Sequence, residues 1–538
     1  MKKIIACCFL LALMTTLDAQ EYISVPLDNL AYDIIEMGVM QGIITPPPSA
    51  KPWPVSVVKK MLWEMMDDPD QVLTSKEVKM VEQAYDSFER EKGVELLFGW
   101  ESNFAVQAPD GAILSVNLAK LNARGDLAGF MSWDITVLGE FLYIERNEAG
   151  VPAMFPYTMS KMWYGGILSL RNTEDYFAWP EDPSLAVGLQ GELSGALFDQ
   201  KLQFRLGRIR RDWGAGTSGS SLFMNAQSPP FIAVEGVFSP LSWLNIIFLT
   251  GVTEFYQNEN QWPAQDESFF INMLSAVQFE FNPLRYIYFS IGGSAGWLHQ
   301  VNLAAFADLE LRVPGILKLW GSIFIDRLDS SSDNFFVING NSYAYQTGIK
   351  ALIHWLPFGA FTFRYTKVEP YCYTDSYDGY SGRRLPSMTA FVSSGESLGY
   401  YMPPNSDEFL FRLESMFLPE LKTYLQFQIL RHGADYGNGR IDGSSLKDRL
   451  TAPRSQKHFL KDGVYRWDYA TKLGSSFKFM AGNIPLSVYA EIGLVSTSFT
   501  INGNAGVGNP ADYDLFDSSV YRTGNSFIFS AGFRLFQR

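Results

Sequence analysis

The sequence predicts an all-β transmembrane barrel of about 18 antiparallel strands, with about 16 as the alternative count, behind a small N-terminal α-helical domain. Three observations predict it: an export-type leader, a change of hydrophobic period near Val94, and tight turns that alternate with long polar loops.

The leader is MKKIIACCFLLALMTTLDAQ. Lys2 and Lys3 precede an apolar core from Ile4 to Leu13, and Leu17-x-Ala19 suits signal peptidase, so residues 1–19 are expected to be a cleaved signal peptide. The core is too short to remain as a spanning anchor. Cys7 and Cys8 lie inside it rather than at its end, which argues for cleavage over lipidation. Cleavage leaves Cys372 alone, so no intrachain disulfide is expected.

Residues 20–93 read as helical. Leu27, Leu30, Ala31, Ile34 and Met37 recur at helical spacing, with Gly38 and Gly42 loosening the end. The stretch TPPPSAKPWP (45–54) cannot be helix and is expected to be an extended connector. A helix from Val55 to Met66 follows, broken by Asp67-Asp68-Pro69. Thr74 with Glu77 forms a capping box that opens a further helix striped by Val78, Val81, Tyr85 and Phe88. These stripes are contact faces of a small bundle.

Residues 94–538 carry the barrel. Leu185, Val187, Leu189, Leu193 and Leu197 alternate with Gln190, Glu192 and Ser194, and Leu317, Leu319, Ile323 and Ile325 share another face. Similar runs recur to the C-terminus, although 110–172 parses poorly. Tight turns are expected at Asp199-Gln200, Ser239-Pro240, Asn282-Pro283, Pro314-Gly315, Pro357-Phe358-Gly359, Pro419-Glu420 and Gly482-Asn483. Between them lie long polar connections such as 257–267, 328–342, 369–407 and 431–466. Loop length segregated in this way marks an up-and-down outer-membrane barrel, and a soluble sandwich has no reason to show it. The terminal SFIFSAGFRLFQR sets Phe527, Phe529, Ala531, Phe533 and Leu535 on one face. Arg522-x-Gly524-x-x-Phe527-x-Phe529 matches a loose barrel C-terminal signal, although Gln537 and Arg538 follow the last aromatic.

Composition alone leaves a large exported enzyme open, since 15% aromatics and near-zero mean hydropathy suit either class. The net charge of −14, which becomes −15 once Lys2, Lys3 and Asp18 leave, argues against nucleic acid as a partner. His299, His354, His432 and His458 stand at no metal-ligand spacing from one another or from Cys372. There is no G-x-S-x-G elbow and no HExxH. GAGTSGSS (214–221) lacks the Lys-Ser/Thr of a phosphate loop. No catalytic residue, metal or cofactor is expected, and the chain is not expected to be an enzyme.

One stretch departs from plain alternation: KLQFRLGRIRRDWGAGTSGSSLFMNAQSPPF, residues 201–231. Alternation from Leu202 would aim Arg208 and Arg210 outward, and a charge facing lipid costs about 2–4 kcal/mol at mid-depth. Two arrangements avoid this. A bulge at Gly207 would turn both arginines into the lumen, and it is the expectation because glycine marks bulges. Alternatively the strand has already reached the outer interface, where the arginines meet lipopolysaccharide phosphates.

The order of elements here, L-G-R, R-D-W-G-x-G, a short apolar strand (Ser221 to Met224), Asn225-Ala226 and a Pro-Pro turn, resembles the Wzi-like capsule assembly family. The leading helix with Leu30 and Gly38 and the connector with Lys51-Pro52-Trp53 resemble that family's helical module. The resemblance implies an outer-membrane barrel with no catalytic activity that holds capsular or exopolysaccharide at the cell surface as a lectin does. It carries over Arg208, Arg210, Arg211, Asp212, Trp213, Gly214, Gly216 and Asn225 as a polysaccharide-binding or lumen motif. In the first role Trp213 would stack on a sugar and the arginines would pair with acidic sugars. In the second, Arg–Asp pairs and glycines would stabilise a loop that closes the lumen. The implied partners are surface polysaccharide, outer-membrane and lipopolysaccharide-type lipid, and the barrel-insertion machinery, with the chain a monomer. The runner-up reading is a porin-like channel for small solutes. Either way the expected place is the outer membrane of a diderm bacterium, with the helical domain on the periplasmic side or in the lumen.

Overall fold

Period-two strands need partners on both edges, and closing the sheet on itself leaves no edge. The computed structural model describes residues 21–68, 70, 72–88, 94–108, 112–144, 184–257, 269–297, 302–327, 342–374, 391–393, 396–418, 420–433, 464–481, 484–501 and 524–535. The predicted signal peptide, residues 145–183 and most of the predicted long connections at 257–267, 328–342 and 431–466 lie outside the described residues, as do the predicted turns at Pro419 and Gly482-Asn483.

Three helices come first among the described residues: α1 (Ala31–Gln41), α2 (Val55–Met66) and α3 (Ser75–Asp86). Helix α1 ends where Gly42 takes a left-handed φ of 81°, and α3 starts on the predicted capping box, with Thr74 N–H donating to Glu77 over 2.8 Å. The connector carries the short strand β1 (Ala50–Lys51).

The barrel begins with β2 (Glu95–Ala108), β3 (Ala112–Ala128), β4 (Met131–Ile144), β5 (Ser184–Leu197) and β6 (Leu202–Ile209). A two-residue strand, β7 (Asp212–Trp213), leaves the wall. The wall resumes with β8 (Phe231–Leu241), β9 (Leu244–Gln257), β10 (Phe269–Leu284), β11 (Ile287–Trp297) and β12 (Asn302–Val313). Next come β13 (Leu317–Arg327), β14 (Ser342–Leu352) and β15 (Ala360–Val368), then the small hairpin β16 (Val392–Ser393) and β17 (Glu396–Ser397). The wall ends with β18 (Ser406–Leu418), β19 (Leu421–Gly433), β20 (Val464–Ala481), β21 (Ile484–Ile501) and β22 (Gly524–Leu535). These form a closed antiparallel barrel of 18 strands, sealed where Trp100 to Ala108 of β2 pair with Leu535 to Phe527 of β22.

The outer surface is graded as a lipid-spanning wall requires. Its middle carries Leu, Ile and Val, among them Leu189, Val234, Ile291, Leu309 and Ile492, together with Phe104, Phe248 and Phe427. Exposed aromatics stand at the tight-turn end (Trp100, Phe130, Trp243, Tyr286, Trp355) and at the long-loop end (Tyr143, Trp297, Tyr469). No helix among the described residues is long and apolar enough to cross a membrane.

Two predicted turns move. Ser239-Pro240 and Asn282-Pro283 are register shifts inside β8 and β10, and the chain reverses about three residues later. A bulge has an unpaired position for a residue that lacks an N–H, which is why proline sits there. The segment after Asp110 resolves into β3 and β4 around a turn at Gly129-Phe130.

Inside, rings lie flat over glycines of neighbouring strands: Trp320 over Gly348, Phe306 over Gly292, Tyr424 over Gly474 and Tyr489 over Gly532. A methyl group at any of these glycines would collide with the ring, so the missing side chain is what lets the aromatic pack. The helices pack at the tight-turn end. Phe358, Ala360 and Met416 of the barrel join the core of α1–α3, and Glu77 accepts a hydrogen bond from Phe358 N–H over 3.0 Å.

Candidate functional site

Strand β6 delivers the arginine-rich stretch to the long-loop end of the wall. Its pairing with β5 and β8 runs unbroken through Gly207, which stands opposite Glu192 and Ala233. The expected bulge is therefore absent. Gly207 serves close approach instead, because an added Cβ would lie 2.6 Å from the Gly191 carbonyl and 2.8 Å from Glu192 Cβ. With the register intact, Arg208 keeps the outward parity of Leu206 and donates to the Leu189 carbonyl over 2.8 Å. It stands one residue from the strand's end, where a charge on the outer face costs little.

Arg210 parts company with it. The strand stops at Ile209, the chain turns inward, and Arg210 lines the lumen. Arg211 goes deeper, with a side chain 1% exposed. Its Nε donates to Glu235 over 2.9 Å, and its other nitrogens reach the carbonyls of Ile209 (3.0 Å), Phe231 (3.1 Å) and Gly207 (3.4 Å). One guanidinium thus closes the frayed end of the β6–β8 pair. Burial lowers its pKa while Glu235 pulls it back up. Glu235 also faces Arg205 at 3.5 Å, and Arg205 faces Glu192 at 3.4 Å, making a buried chain of alternating charge. The expected Arg–Asp pairing is replaced: Asp212 faces Lys51 at 3.9 Å.

From Asp212 the loop crosses the lumen. Asp212–Trp213 pairs antiparallel with Ala50–Lys51 of the connector. On its other side Trp213 N–H donates to Met224 O over 2.9 Å. The predicted strand from Ser221 to Met224 is thereby reduced to a single bridge. The Trp213 ring is 2% exposed, packed with its centroid 5.8 Å from that of Phe223, and presents no open face for stacking. Phe223 in turn stacks on Phe306 at 4.0 Å. Gly214 and Gly216 pass where side chains would press on Ser221 and on Trp320 with Ser220. Asn225 pins the return: its amide donates to the carbonyls of Gly219 (2.9 Å) and Ser221 (3.0 Å) while its oxygen accepts from Gln227 N–H (3.0 Å).

A second inward segment covers the first. Tyr373 O–H donates to Leu222 O over 2.8 Å, Asn225 N–H to Leu398 O over 2.8 Å, and Ser228 O–H to Ser397 O over 2.8 Å. Leu222, Phe223, Phe391, Leu398, Tyr400 and Met402 join Ile247, Leu274 and Phe324 of the wall in one buried cluster. On that side the lumen holds a hydrophobic core.

The other side is a polar chamber of about 700 Å³. Its walls come from β2–β5, β14, β15 and β18–β22, one flank from Arg210 and Thr217 to Gly219, and its floor from the segment that runs from Ile23 into α1. Carboxylates of that segment meet wall cations. Asp28 pairs with Arg534, Asp33 with Lys422 at 2.5 Å, and Glu36 with Lys318 at 2.5 Å and Lys350 at 2.8 Å. Burial raises the Glu36 pKa, but the two lysines outweigh it and hold the carboxyl at about 2. Lys350 also binds Glu414 at 2.8 Å, and Glu414 reaches Arg412 at 3.2 Å.

Sequence reasoning missed the partners in these contacts: Lys51, Glu192, Arg205 and Glu235 around the loop, and Asp28, Asp33 and Glu36 on the helical segment. The polar face of β5 at Gln190, Glu192 and Ser194 was the available signal for the first group. Nothing in spacing links residues hundreds of positions apart.

No family model matches the chain, and no curated protein matches it. Among solved structures the fold is similar to Wzi of Escherichia coli, an outer-membrane protein involved in group 1 capsule assembly and described as a carbohydrate-binding β-barrel. That likeness has a TM-score of 0.57 at 11% identity and covers 96% of this chain and 99% of that one. OprD of Pseudomonas aeruginosa follows at a TM-score of 0.41 and 11% identity over 82% and 94% of the two chains. OccAB2 of Acinetobacter baumannii stands at 0.44 and 9% over 82% and 98%. At these identities the likeness concerns the fold.

Proposed function

We propose that this chain is a non-catalytic outer-membrane barrel that attaches or helps assemble polysaccharide at the cell surface. One observation carries the reading: the loop from Arg210 to Ser228 is folded into the lumen and built into a buried core there, while the helices cover the tight-turn end. A barrel filled in this way is a scaffold for presenting its long-loop end rather than a free passage. The full-length likeness to a carbohydrate-binding barrel supports the same reading. Tight turns face the periplasm in such barrels, which puts the helices on that side and the long loops outside. Within this reading Arg211, Asp212, Trp213, Gly214, Gly216 and Asn225 hold the loop in place, and Arg208 and Arg210 carry charge at its base. The test compares cell-associated and shed polysaccharide in cells with and without the gene. Loss of the cell-associated fraction is expected, and unchanged retention overturns the proposal.

A second reading, a porin-like channel for small solutes, draws on the charged chamber. Planar bilayers separate the two: steady open conductance from the full-length protein favours the channel, and silence favours the scaffold.

A further inference from the structure

We infer that the polar chamber is a binding site for a small solute bearing an oxyanion, a carboxylate or phosphate, held between Arg412 and Lys472. The inference does not depend on the polysaccharide reading.

The two cations belong to one lateral row. Arg412 of β18 pairs in register with Gln426 of β19, which pairs with Lys472 of β20, and all three line the chamber. Arg412 and Lys472 therefore stand two strands apart, about 10 Å between backbones, with an amide between them. Two long cationic side chains across that gap converge on a group the size of a carboxylate or phosphate.

Each cation is held so that part of its donor capacity is left over. The Arg412 guanidinium lies over the Tyr424 ring at 4.0 Å, with Nε on Glu414 (3.2 Å) and one terminal nitrogen on Gln426 (3.2 Å). Its Nη2 makes no hydrogen bond among the described residues. Tyr424 itself is fixed, its ring on Gly474 and its hydroxyl on Glu491. Lys472 has a side chain only 6% exposed, and its partner Glu491 stands 3.8 Å away, a contact longer than a hydrogen bond. An ammonium carries three donors and is costly to bury without acceptors. An oxyanion in the chamber supplies them.

Charge agrees with geometry. The ion-paired set around Glu414 holds four cations (Lys318, Lys350, Lys422, Arg412) against three carboxylates (Asp33, Glu36, Glu414), and Tyr424 joins it to the one-to-one pair of Lys472 and Glu491. One further negative charge balances it. A volume of about 700 Å³ lies within the range of about 300–1,000 Å³ typical of small-molecule sites.

The test is calorimetric titration of the full-length protein in detergent with gluconate, glucose 6-phosphate and neutral glucose. Saturable binding of the two anions, weakened by added sodium chloride, is expected, with none for glucose. Lys472→Gln and Arg412→Gln should each weaken anion binding by tenfold or more, and Lys472→Arg should preserve it. The inference is overturned if neither anion saturates, if glucose binds as well as the anions, or if the glutamine variants bind like the parent. Should a glutamine variant fail to assemble, the comparison of anions with glucose on the parent protein still decides. Surface retention of polysaccharide, scored separately in cells, is expected to survive Lys472→Gln, so the two proposals fail independently.

Discussion

Glu36→Gln tests the link between the helices and the barrel. The carboxylate sits between Lys318 and Lys350, and its pKa is held near 2 against 4.5 for an unperturbed glutamate. The difference corresponds to about 3 kcal/mol favouring the docked, ionised form. The substitution leaves Lys350 with Glu414, but among the described residues it leaves Lys318 with no carboxylate, only the Gly216 carbonyl at 3.4 Å and the Trp320 ring at 5.6 Å. Removing one member of a buried pair costs about 3–5 kcal/mol, so the two routes agree. Undocking of α1 should therefore become easier by roughly a hundredfold. Hydrogen exchange of the α1 amides in the detergent-solubilised protein, followed by mass spectrometry, reads this directly. The sign of the pH dependence follows from the depressed pKa. The contribution is complete above about pH 4.5 and is lost as pH falls toward 2. The parent protein should thus lose α1 protection on acidification, after correction for intrinsic exchange, and the Glu36→Gln variant should lose much less. Protection of α1 at neutral pH within threefold of the parent would refute the argument.

Other substitutions probe the loop and the wall. Trp213→Ala empties a buried ring position, at about 3–5 kcal/mol, and should expose the loop from Arg210 to Ser228 to protease while the barrel still migrates as a folded band in unheated gels. Asn225→Ala removes three hydrogen bonds from a fully buried site, at about 1–3 kcal/mol, and should raise hydrogen exchange between Gly219 and Ser228. Gly474→Ala drives a methyl group into the Tyr424 ring, and its expected cost of about 1–3 kcal/mol should lower the melting midpoint. The same change should tilt Tyr424 and with it the Arg412 guanidinium, weakening anion binding in the chamber.

Much of the architecture was legible because alternation, turn chemistry and loop length are local signals. The helix from Val55 to Met66, the Thr74–Glu77 cap and the final strand face from Phe527 to Leu535 all rest on neighbours a few residues apart. Proline misled where it filled a bulge rather than a turn, at Pro240 and Pro283. Glycine misled at Gly207, where the demand was for space against Gly191 and Glu192 rather than for an extra residue. Apolar runs such as Leu244 to Phe248 hid the lumen core, because Ile247 faces the folded-in loop while Phe248 faces outward, and both are hydrophobic for different reasons. The counter-charges of the loop and of α1 were out of reach of any local pattern. Arg205 donates to the Pro52 carbonyl and Lys422 binds Asp33, contacts that exist only once the sheet has closed.

The pairing of Ala50–Lys51 with Asp212–Trp213 has a mechanical meaning. One partner is strung from the helices at one mouth, and the other hangs from strand ends at the opposite mouth. Together they form a strut through the bore, so a pull on the loop at one mouth is carried to the helices at the other. Load on one mouth would reach the other through this short ladder of backbone pairs, without the wall itself having to deform.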